Sequence, residues 1–309
     1  MFCHVPVLLN ECIEGLKIKE NGIYIDATLG RGGHSSEILK RAGKGFLYCF
    51  DQDQQAIDES RERLSSIGNN FCIFHANFSE MRECLGEIGV RSANGILFDL
   101  GVSSAQFDDA ERGFSYRFDA RLDMRMNRES NLTAFDVVNR YSLSDMTRIF
   151  REYGEERYAY PIASKIVKYR ENKEIETTLQ LVEIVKSALP PKALSQKGHP
   201  AKQVFQAIRI EVNGELNALK KGLVSAIEML RPGGRICVIT FNSLEDRIVK
   251  NLFKSYTFEG EGSRVLPSEK KVADYRLVNR KIIVPSREEV ERNPRSRSAK
   301  LRMMERKEL

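Results

Sequence analysis

The stretch from Gly22 to Asp51 constrains the fold of this chain more than any other part of the sequence. It begins with a short apolar run at residues 23–25, of the kind that forms a buried parallel strand. A loop with glycines at positions 30, 32 and 33 follows, and glycine lets a backbone turn sharply and approach a ligand closely. A second apolar run at residues 46–50 leads into Asp51. This order predicts a strand, a glycine loop, a helix over residues 37–42 and a second strand, which together are typical of a nucleoside-cofactor site.

The charges around the glycine loop indicate which cofactor it takes. Asp51 stands about 20 residues after the loop, where an acid on the second strand reaches the ribose hydroxyls of an adenosine group. Ser35 occupies the third glycine position of the dinucleotide motif, and Asp26 precedes the loop, where it would repel a pyrophosphate. The same acid suits the ammonium of S-adenosylmethionine, and a helix N-terminus capped by Ser35 or Ser36 suits its carboxylate. The sequence therefore favours S-adenosylmethionine over NAD.

Apolar runs and helical patterns continue to alternate after this unit. Strands are predicted over residues 71–74, 95–98 and 235–241, and helices over residues 54–64 and 243–256. This alternation predicts a doubly wound parallel sheet, whose ligands lie at the carboxyl ends of the strands. Asp26, Asp51, Phe78 and Asp99 should cluster there, with Phe78 placed to pack against an adenine or simply against the core. Two further strand candidates, residues 281–284 and 299–304, lie near the C-terminus.

The pattern changes between residues 107 and 200. This stretch shows no convincing strand, but it shows amphipathic helical patterns over residues 133–140, 144–153, 157–170 and 178–189. A single long helix over residues 203–230 is then expected to return to the sheet. We predict a core in two parts, residues 1–106 and 201–309, separated by an inserted helical substrate-recognition domain at residues 107–200.

The net charge of +6 is concentrated near the C-terminus. Residues 264–309 carry 14 Lys and Arg against 7 Asp and Glu, so the remainder of the chain sums to −1. A basic segment joined to a nearly neutral core indicates contact with a polyanion, although a solvated charged face is the alternative.

The composition also indicates in which cellular compartment the protein is expected to act. No run approaches about 18 consecutive apolar residues, and the N-terminus lacks a signal-peptide pattern, so no membrane association is expected. The six cysteines, at positions 3, 12, 49, 72, 84 and 237, include no C-x-x-C pair. They predict reduced core thiols in the cytoplasm and no metal site.

Asp99 is the candidate for the chemistry, because it ends the predicted strand next to the glycine-loop strand. The lone pair of an exocyclic amine on a cytosine or adenine is delocalised into the ring. An acceptor such as Asp99 can bind the N–H groups and free the lone pair for attack on a methyl group. A helix-capping acid is the alternative interpretation.

Four stretches interleave basic residues with aromatic or turn residues, as RNA-binding surfaces do. A flipped base can stack on an aromatic ring while Arg and Lys side chains hold phosphates. For each stretch, a structural ion pair or a turn is an equally good interpretation. The RNA-binding candidates are Arg112, Tyr116, Arg125, Lys202, Arg295 and Arg297.

Together these motifs resemble one family closely, the bacterial 16S rRNA (cytosine-N4)-methyltransferases known as RsmH or MraW. The matching blocks run from His4 to Arg302 and include DATLGRGGHS, DLGVSSAQFD, RGFSYR, LDMRM, YGEER, HPAKQVFQAIRIEVN and NPRSRSAKLR. The resemblance implies an α/β class I S-adenosylmethionine-dependent methyltransferase, with a Rossmann-like doubly wound sheet and an inserted all-helical domain. It implies a decoding-centre cytosine of 16S ribosomal RNA in the small ribosomal subunit as the target. Carried over motif by motif, the cofactor contacts fall on Gly32, Gly33, His34, Asp51, Phe78, Asp99 and Gln106.

One position departs from the family pattern. The family usually reads Phe-His-Ser-Leu-Glu-Asp-Arg, whereas this chain has Asn242 in place of the histidine. Asparagine keeps a hydrogen-bonding group but does not titrate near neutral pH. We therefore expect Asn242 to help hold the base without moving protons, beside Asp99 as the other catalytic candidate.

Rival functions remain open at this point. One is an RNA-binding ribosome-assembly factor that retains the cofactor site without turnover. A small-molecule methyltransferase is disfavoured by the basic segment, and an NAD-dependent oxidoreductase is disfavoured by Asp26 and Ser35. The oligomeric state, a homodimer included, is not determined by the sequence.

Overall fold

The computed structural model describes residues 6–258 and 273–308. His4 and Cys3 therefore lie outside the described residues. The chain divides into two compact units, the first comprising Met1–Gly101 and Leu216–Leu309 and the second comprising Val102–Glu215. Among the described residues, no helix has both the length and the apolar character that a bilayer span requires.

The strands and helices are numbered in chain order. The strands are β1 (Ile23–Asp26), β2 (Phe46–Asp51), β3 (Phe71–His75), β4 (Ala93–Asp99), β5 (Leu230–Thr240), β6 (Tyr275–Leu277) and β7 (Lys300–Arg306). The helices are α1 (Leu9–Leu16), α2 (Gly33–Ala42), α3 (Gln54–Ser65), α4 (Met81–Glu87), α5 (Ser104–Asp108), α6 (Ala134–Arg140), α7 (Leu143–Glu152), α8 (Ala159–Arg170), α9 (Thr178–Ala188), α10 (Pro191–Leu194), α11 (Lys202–Asn213), α12 (Glu215–Met229), α13 (Ser243–Thr257) and α14 (Arg287–Arg292).

The first unit is built on a seven-stranded sheet with the order β3-β2-β1-β4-β5-β7-β6. Strands β1 to β5 pair in parallel, and β7 pairs antiparallel with both β5 and β6. The strand order reverses between β1 and β4, which is the topological switch point where α/β sheets bind their ligands. The expected α/β doubly wound class is confirmed.

Both faces of this sheet are covered, which explains why its strands are apolar without alternation. On β4, Ile96 and Phe98 belong to a buried cluster with Leu223 of α12 and Phe253 of α13. Leu97, which lies between them, belongs to the cluster of the opposite face, formed with α1, α2 and α3. Alternate residues of β4 therefore belong to two different apolar cores. Only the carboxyl end of the strand remains available for a functional site.

The second unit is helical, and its described residues form one apolar core. Helices α6 and α9 begin with capping boxes, in which Thr133 pairs with Asp136 and Thr177 pairs with Gln180. The core is made by buried side chains of α6, α7, α8, α9 and α11. The only pairing of strand type in the described part of this unit is an isolated bridge between Arg121 and Thr177.

The prediction of one long helix over residues 203–230 is wrong. Gly214 has φ 58° and ends α11 in the left-handed conformation, which costs glycine little because it lacks a Cβ atom. Helix α11 packs Val204, Phe205 and Ile208 into the core of the second unit. The second unit therefore runs from residue 102 to residue 215, whereas the sequence placed its limits at residues 107 and 200.

Two smaller predictions also fail. Ser35 and Ser36 do not cap α2, because the helix already begins at Gly33 with Gly32 as its N-cap. Residues 281–284 form no strand; in this stretch Ile283 makes an isolated bridge to Leu301, and the edge strand is β6 instead.

Candidate cofactor and RNA sites

The carboxylate of Asp26 shapes the glycine loop from inside the protein. It is buried, accepts a hydrogen bond from the Thr28 N–H at 3.1 Å, and accepts one from the Ser35 hydroxyl at 2.6 Å. Burial raises the pKa of Asp26, and the hydrogen bonds from Ser35 and Thr28 oppose that rise. Both carboxylate oxygens of Asp26 accept hydrogen bonds from the glycine-loop region. The geometry therefore favours a role in stabilising the loop over contact with the ammonium group of a ligand.

Asp51 holds the same loop from the end of β2 and stays half-buried. Its Oδ2 accepts the Gly30 N–H at 2.7 Å, and its Oδ1 accepts the Asp53 N–H at 2.9 Å. Burial raises the pKa of Asp51 to about 6, although the two backbone donors favour its ionised form. Each carboxylate oxygen has a further lone pair, so the geometry is compatible with the predicted contact to ribose hydroxyls.

The glycines of the loop are required by conformation and by close contact. Gly32 has φ 70°, a region that side chains disfavour. A Cβ atom on Gly33 would lie 2.3 Å from Cγ of Pro6, because the segment before α1 packs directly on the loop. Pro6 is therefore part of this site, which the sequence did not indicate.

His34 and Asp99 face each other beside the loop. The His34 Nε2 lies 3.2 Å from the carbonyl oxygen of Val7, and because a carbonyl can only accept, Nε2 carries the hydrogen. The His34 Nδ1 is then directed at Asp99, 3.6 Å from Oδ2. His34 is 5% exposed, so this arrangement is enclosed by protein.

The side chain of Asp99 is partly exposed to solvent, and one of its carboxylate oxygens lacks a hydrogen-bond donor among the described residues. Its side chain is 27% exposed, yet its Oδ1 atom is buried and has no hydrogen-bond partner among the described residues. Burial, followed by the negative charges of Asp26 and Glu245, raises the pKa of Asp99 to about 8. Buried acceptors without a donor are rare in folded proteins, which makes Asp99 a candidate for a functional role.

Asn242 caps α13. Its Oδ1 accepts the backbone N–H groups of Leu244 at 3.0 Å and Glu245 at 2.9 Å, and its Nδ2 donates to Glu245 Oε1 at 2.5 Å. Glu245 is buried and completes the capping box by accepting the Asn242 N–H at 3.3 Å, and it also accepts the Phe241 N–H at 2.8 Å. The contact of Asn242 with the target base stays a prediction, and the cap is the role that the geometry displays.

Phe78 lies just after β3 and packs within the first unit. Its ring meets Phe98 edge to face, with centroids 5.4 Å apart. It also lies over α12, where a Cβ atom on Gly222 would be 2.6 Å from the Phe78 ring. The ring is only partly buried, so its predicted contact with an adenine stays a prediction.

Gln106 belongs to the second unit, where it forms a capping box at the start of α5. Its Oε1 accepts the Ser103 N–H at 3.1 Å, and its own N–H donates to the Ser103 hydroxyl at 3.2 Å. These bonds fix the side chain, while its predicted cofactor contact stays a prediction.

Two of the arginine candidates, Arg112 and Arg125, form hydrogen bonds within the loops of the second unit. Arg112 is buried and donates to the carbonyls of Arg125 at 2.9 Å and Met126 at 3.1 Å. The Arg125 guanidinium is bidentate with Asp123, at 3.0 and 2.7 Å, and donates to two further carbonyls. This geometry supports the structural alternative for both residues and disfavours contact with phosphate.

The other RNA-binding candidates are accessible. Lys202 is exposed at the start of α11, and Arg295 and Arg297 are exposed on a short 3-10 turn at Pro294–Ser298. Other basic residues near the C-terminus pair internally, as Arg302 does with Asp246 at 2.7 Å. Tyr116 stacks on His199, with ring centroids 4.1 Å apart, a pairing that no sequence pattern indicated.

Comparison with protein families decides the assignment. The model of the MraW methylase family matches residues 1–307. The chain belongs to this family. It is therefore an S-adenosylmethionine-dependent methyltransferase of ribosomal RNA, and the resemblance seen in its motifs is confirmed.

Similar solved structures include an rRNA methylase from Streptococcus thermophilus, with 11% identity and a TM-score of 0.43 over 97% of this chain and 94% of that one. A Streptococcus mutans protein in complex with SAH has 13% identity and a TM-score of 0.45, over 98% of this chain and 99% of the other. The assignment rests on the family match and not on these distant likenesses.

The first unit fits the cofactor of this family. The glycine loop is fixed by two carboxylates, Asp51 stays accessible at a strand end, and Asp99 presents an unsatisfied acceptor. These features are compatible with the predicted contacts of Asp51 and Asp99 to S-adenosylmethionine.

Proposed function

We propose that this protein methylates the N4 amine of a decoding-centre cytosine in the 16S RNA of the small ribosomal subunit, in the cytoplasm. The observation that carries the proposal is Asp99, a partly accessible carboxylate with an unsatisfied buried oxygen at the carboxyl end of β4. An exocyclic amine offers two N–H donors, which is what such an acceptor lacks.

Asp99 would act by orienting the amine. Accepting an N–H from N4 holds the amine in one direction and favours localisation on the nitrogen of the lone pair that is otherwise delocalised into the ring, so that it can attack the methyl group. S-adenosylmethionine, when bound, supplies that methyl group as an electrophile. The remaining task for the protein is to position the nucleophile in line, which contributes most of the rate in such transfers.

The His34–Asp99 pair would receive the proton that the methylated amine loses. The Val7 carbonyl accepts from Nε2, so Nδ1 is the ring nitrogen of His34 that faces the Asp99 carboxyl group. The ionised form of Asp99, which is populated as the pH approaches its pKa of about 8, takes this proton on one oxygen, and Nδ1 of His34 lies 3.6 Å from Oδ2 to share it. The methylated nitrogen is cationic and acidic, so this weak acceptor pair is sufficient.

The cofactor contacts proposed for this chain are Gly32, Gly33, His34, Asp51, Phe78, Asp99 and Gln106. Of these, the loop residues, Asp51 and Asp99 have the strongest support from geometry. Asn242 is proposed to support the site through the start of α13, because its amide is engaged in the cap.

The proposed function is tested by nucleoside mass spectrometry of 16S RNA from cells with and without the gene. We expect N4-methylcytosine to disappear with the gene and to return with the wild-type chain but not with Asp99→Ala. If the modification is present in cells that lack the gene, the target is wrong. If wild-type protein binds the RNA and gives no methylation of any ribosomal substrate, the assembly-factor alternative is correct.

A further inference from the structure

Tyr116 and His199 form a rigid aromatic stack in the second unit. Their rings are 4.1 Å apart and 12° from parallel, the geometry of direct stacking. The Tyr116 ring also meets Phe205 edge to face at 5.7 Å, and Phe205 is a buried member of the core. The stack is therefore anchored to the core while both of its rings remain partly exposed.

The structure favours the neutral form of His199. Its Nδ1 accepts the N–H of Ala201 at 3.3 Å, which uses the lone pair that a second proton would need. Burial lowers the pKa of His199, and the positive charges of Lys186 and Arg117 lower it further. A neutral imidazole can stack on flat rings without the cost of removing a charge from water.

Basic residues lie close to this stack, because Lys186 and Arg117 both act electrostatically on His199. Arg117 follows Tyr116 directly and is exposed, and Lys202 is exposed three residues after His199. Lys186 on α9 is 40% exposed and pairs with Glu183 at 2.8 Å on the helix surface, a weak exposed pair. Flat rings with cations at their edges complement an unpaired nucleotide, whose base stacks and whose phosphates are negative.

We propose that the Tyr116–His199 stack is a binding site for one unpaired base of the substrate RNA, with Arg117, Lys186 and Lys202 contacting the neighbouring phosphates. The inference deepens the proposed function and rests on it for the identity of the RNA. A lipid headgroup would find the cations here but would leave the flat aromatic faces unused. A nucleotide can stack its base on the aromatic rings and place its phosphates beside the basic side chains, so single-stranded RNA is the ligand that fits this site.

The test compares His199→Ala with His199→Phe. Alanine removes the stacking ring, whereas phenylalanine keeps a ring and loses only the nitrogen atoms. The probe is a single-stranded oligonucleotide of the target 16S segment, in a series that carries an abasic site at each unpaired position in turn. Binding is measured by fluorescence anisotropy, and circular dichroism melting checks that each variant is folded.

We expect His199→Ala to weaken binding of the intact oligonucleotide by about 10-fold or more, the scale for losing one base–aromatic stack. His199→Phe should bind within about 3-fold of wild type. At one position, the abasic site should weaken wild-type binding similarly and cause no further loss in His199→Ala, because both changes remove the same contact. If the loss of affinity caused by the abasic site and the loss caused by His199→Ala multiply at every position, the two changes act independently. The stack then does not hold a base, and the proposal is overturned.

The outcome is separable from that of the proposed function. If wild-type protein makes N4-methylcytosine while His199→Ala binds every oligonucleotide as wild type does, the stacking site is refuted and the proposed function stands. If the abasic series behaves as expected but no N4-methylcytosine forms, the stacking site stands and the proposed function fails.

Discussion

The imidazole of His34 lies between the carbonyl of Val7, at 3.2 Å from Nε2, and the carboxylate of Asp99, at 3.6 Å from Nδ1. It connects the segment before α1 with the residue that we place at the chemical step. The next residue in that segment, Leu8, donates its N–H to Glu289 of α14 at 2.8 Å. Val7, Leu8 and Glu289 thus lie on one side of the site.

Methyl transfer should depend on the Asp99 carboxylate. Asp99→Ala is expected to lower the single-turnover rate by about 10²-fold or more, the scale for removing one positioned polar group. Asp99→Asn keeps the shape of the side chain and one hydrogen-bond acceptor, so the decrease in the single-turnover rate should be smaller than for Asp99→Ala. Rates with pre-bound cofactor and RNA separate the chemical step from binding. An Asp99→Ala variant that transfers methyl at the wild-type rate would show that the mechanism is wrong.

The stability of the ligand-free protein should fall as the pH rises from about 4 to about 8. Folded Asp99 keeps its proton up to a pKa of about 8, whereas an unfolded aspartate releases it near pH 4. The folded state therefore holds the extra proton in this window, and the free energy of unfolding decreases with pH. Asp99→Asn should flatten the curve, apart from a remaining slope from Asp51, whose pKa is about 6, and from Asp26, whose pKa is raised by burial. Urea unfolding at several pH values measures this, and an equal slope in the variant would contradict it.

Cofactor affinity should depend on Asp51. Asp51→Ala removes the acceptor for the Gly30 N–H together with the proposed ribose contact, and should weaken binding of S-adenosylmethionine by about 1–3 kcal/mol. Asp53→Asn is the matched control, because it changes a neighbouring carboxylate that caps α3 while keeping an acceptor. Calorimetry that finds unchanged affinity in Asp51→Ala would remove Asp51 from the cofactor site.

Asn242 should contribute to stability through the cap of α13. Asn242→Ala is expected to lower the free energy of unfolding by about 1 kcal/mol, and Asn242→Asp should retain most of it. Asn242→His restores the usual family residue; we expect the same methylated product and a weaker cap. A loss of activity in Asn242→Asp without a loss of stability would indicate direct contact with the base instead.

The salt dependence of RNA binding should report on Arg295 and Arg297. If both contact phosphates, replacing them with alanine should reduce the slope of log affinity against log salt by at most about two units. The control replaces Arg287 and Arg292 of α14 with alanine, an equal change of net charge on neighbouring residues. Equal effects of the two double variants would mean that net charge, and not contact, explains the loss.

The sequence by itself determined the fold class and the cofactor chemistry. The strand, glycine loop and Asp51 are local in sequence, and a parallel sheet necessarily brings the ends of its strands to one edge. For the same reason the sequence places Asp51 and Asp99 at that edge. The family could also be identified, because its motifs extend over nearly the whole chain.

Tertiary structure alone decided which candidate side chains are already engaged. Arg112 and Arg125 look like RNA contacts in the sequence, but their guanidinium groups satisfy carbonyls and a carboxylate nearby. The His34–Asp99 approach joins residues 65 positions apart in sequence, and the Tyr116–His199 stack joins residues 83 positions apart. A local pattern carries propensity and spacing, whereas the partner of a hydrogen bond or a ring is fixed only when distant segments pack together.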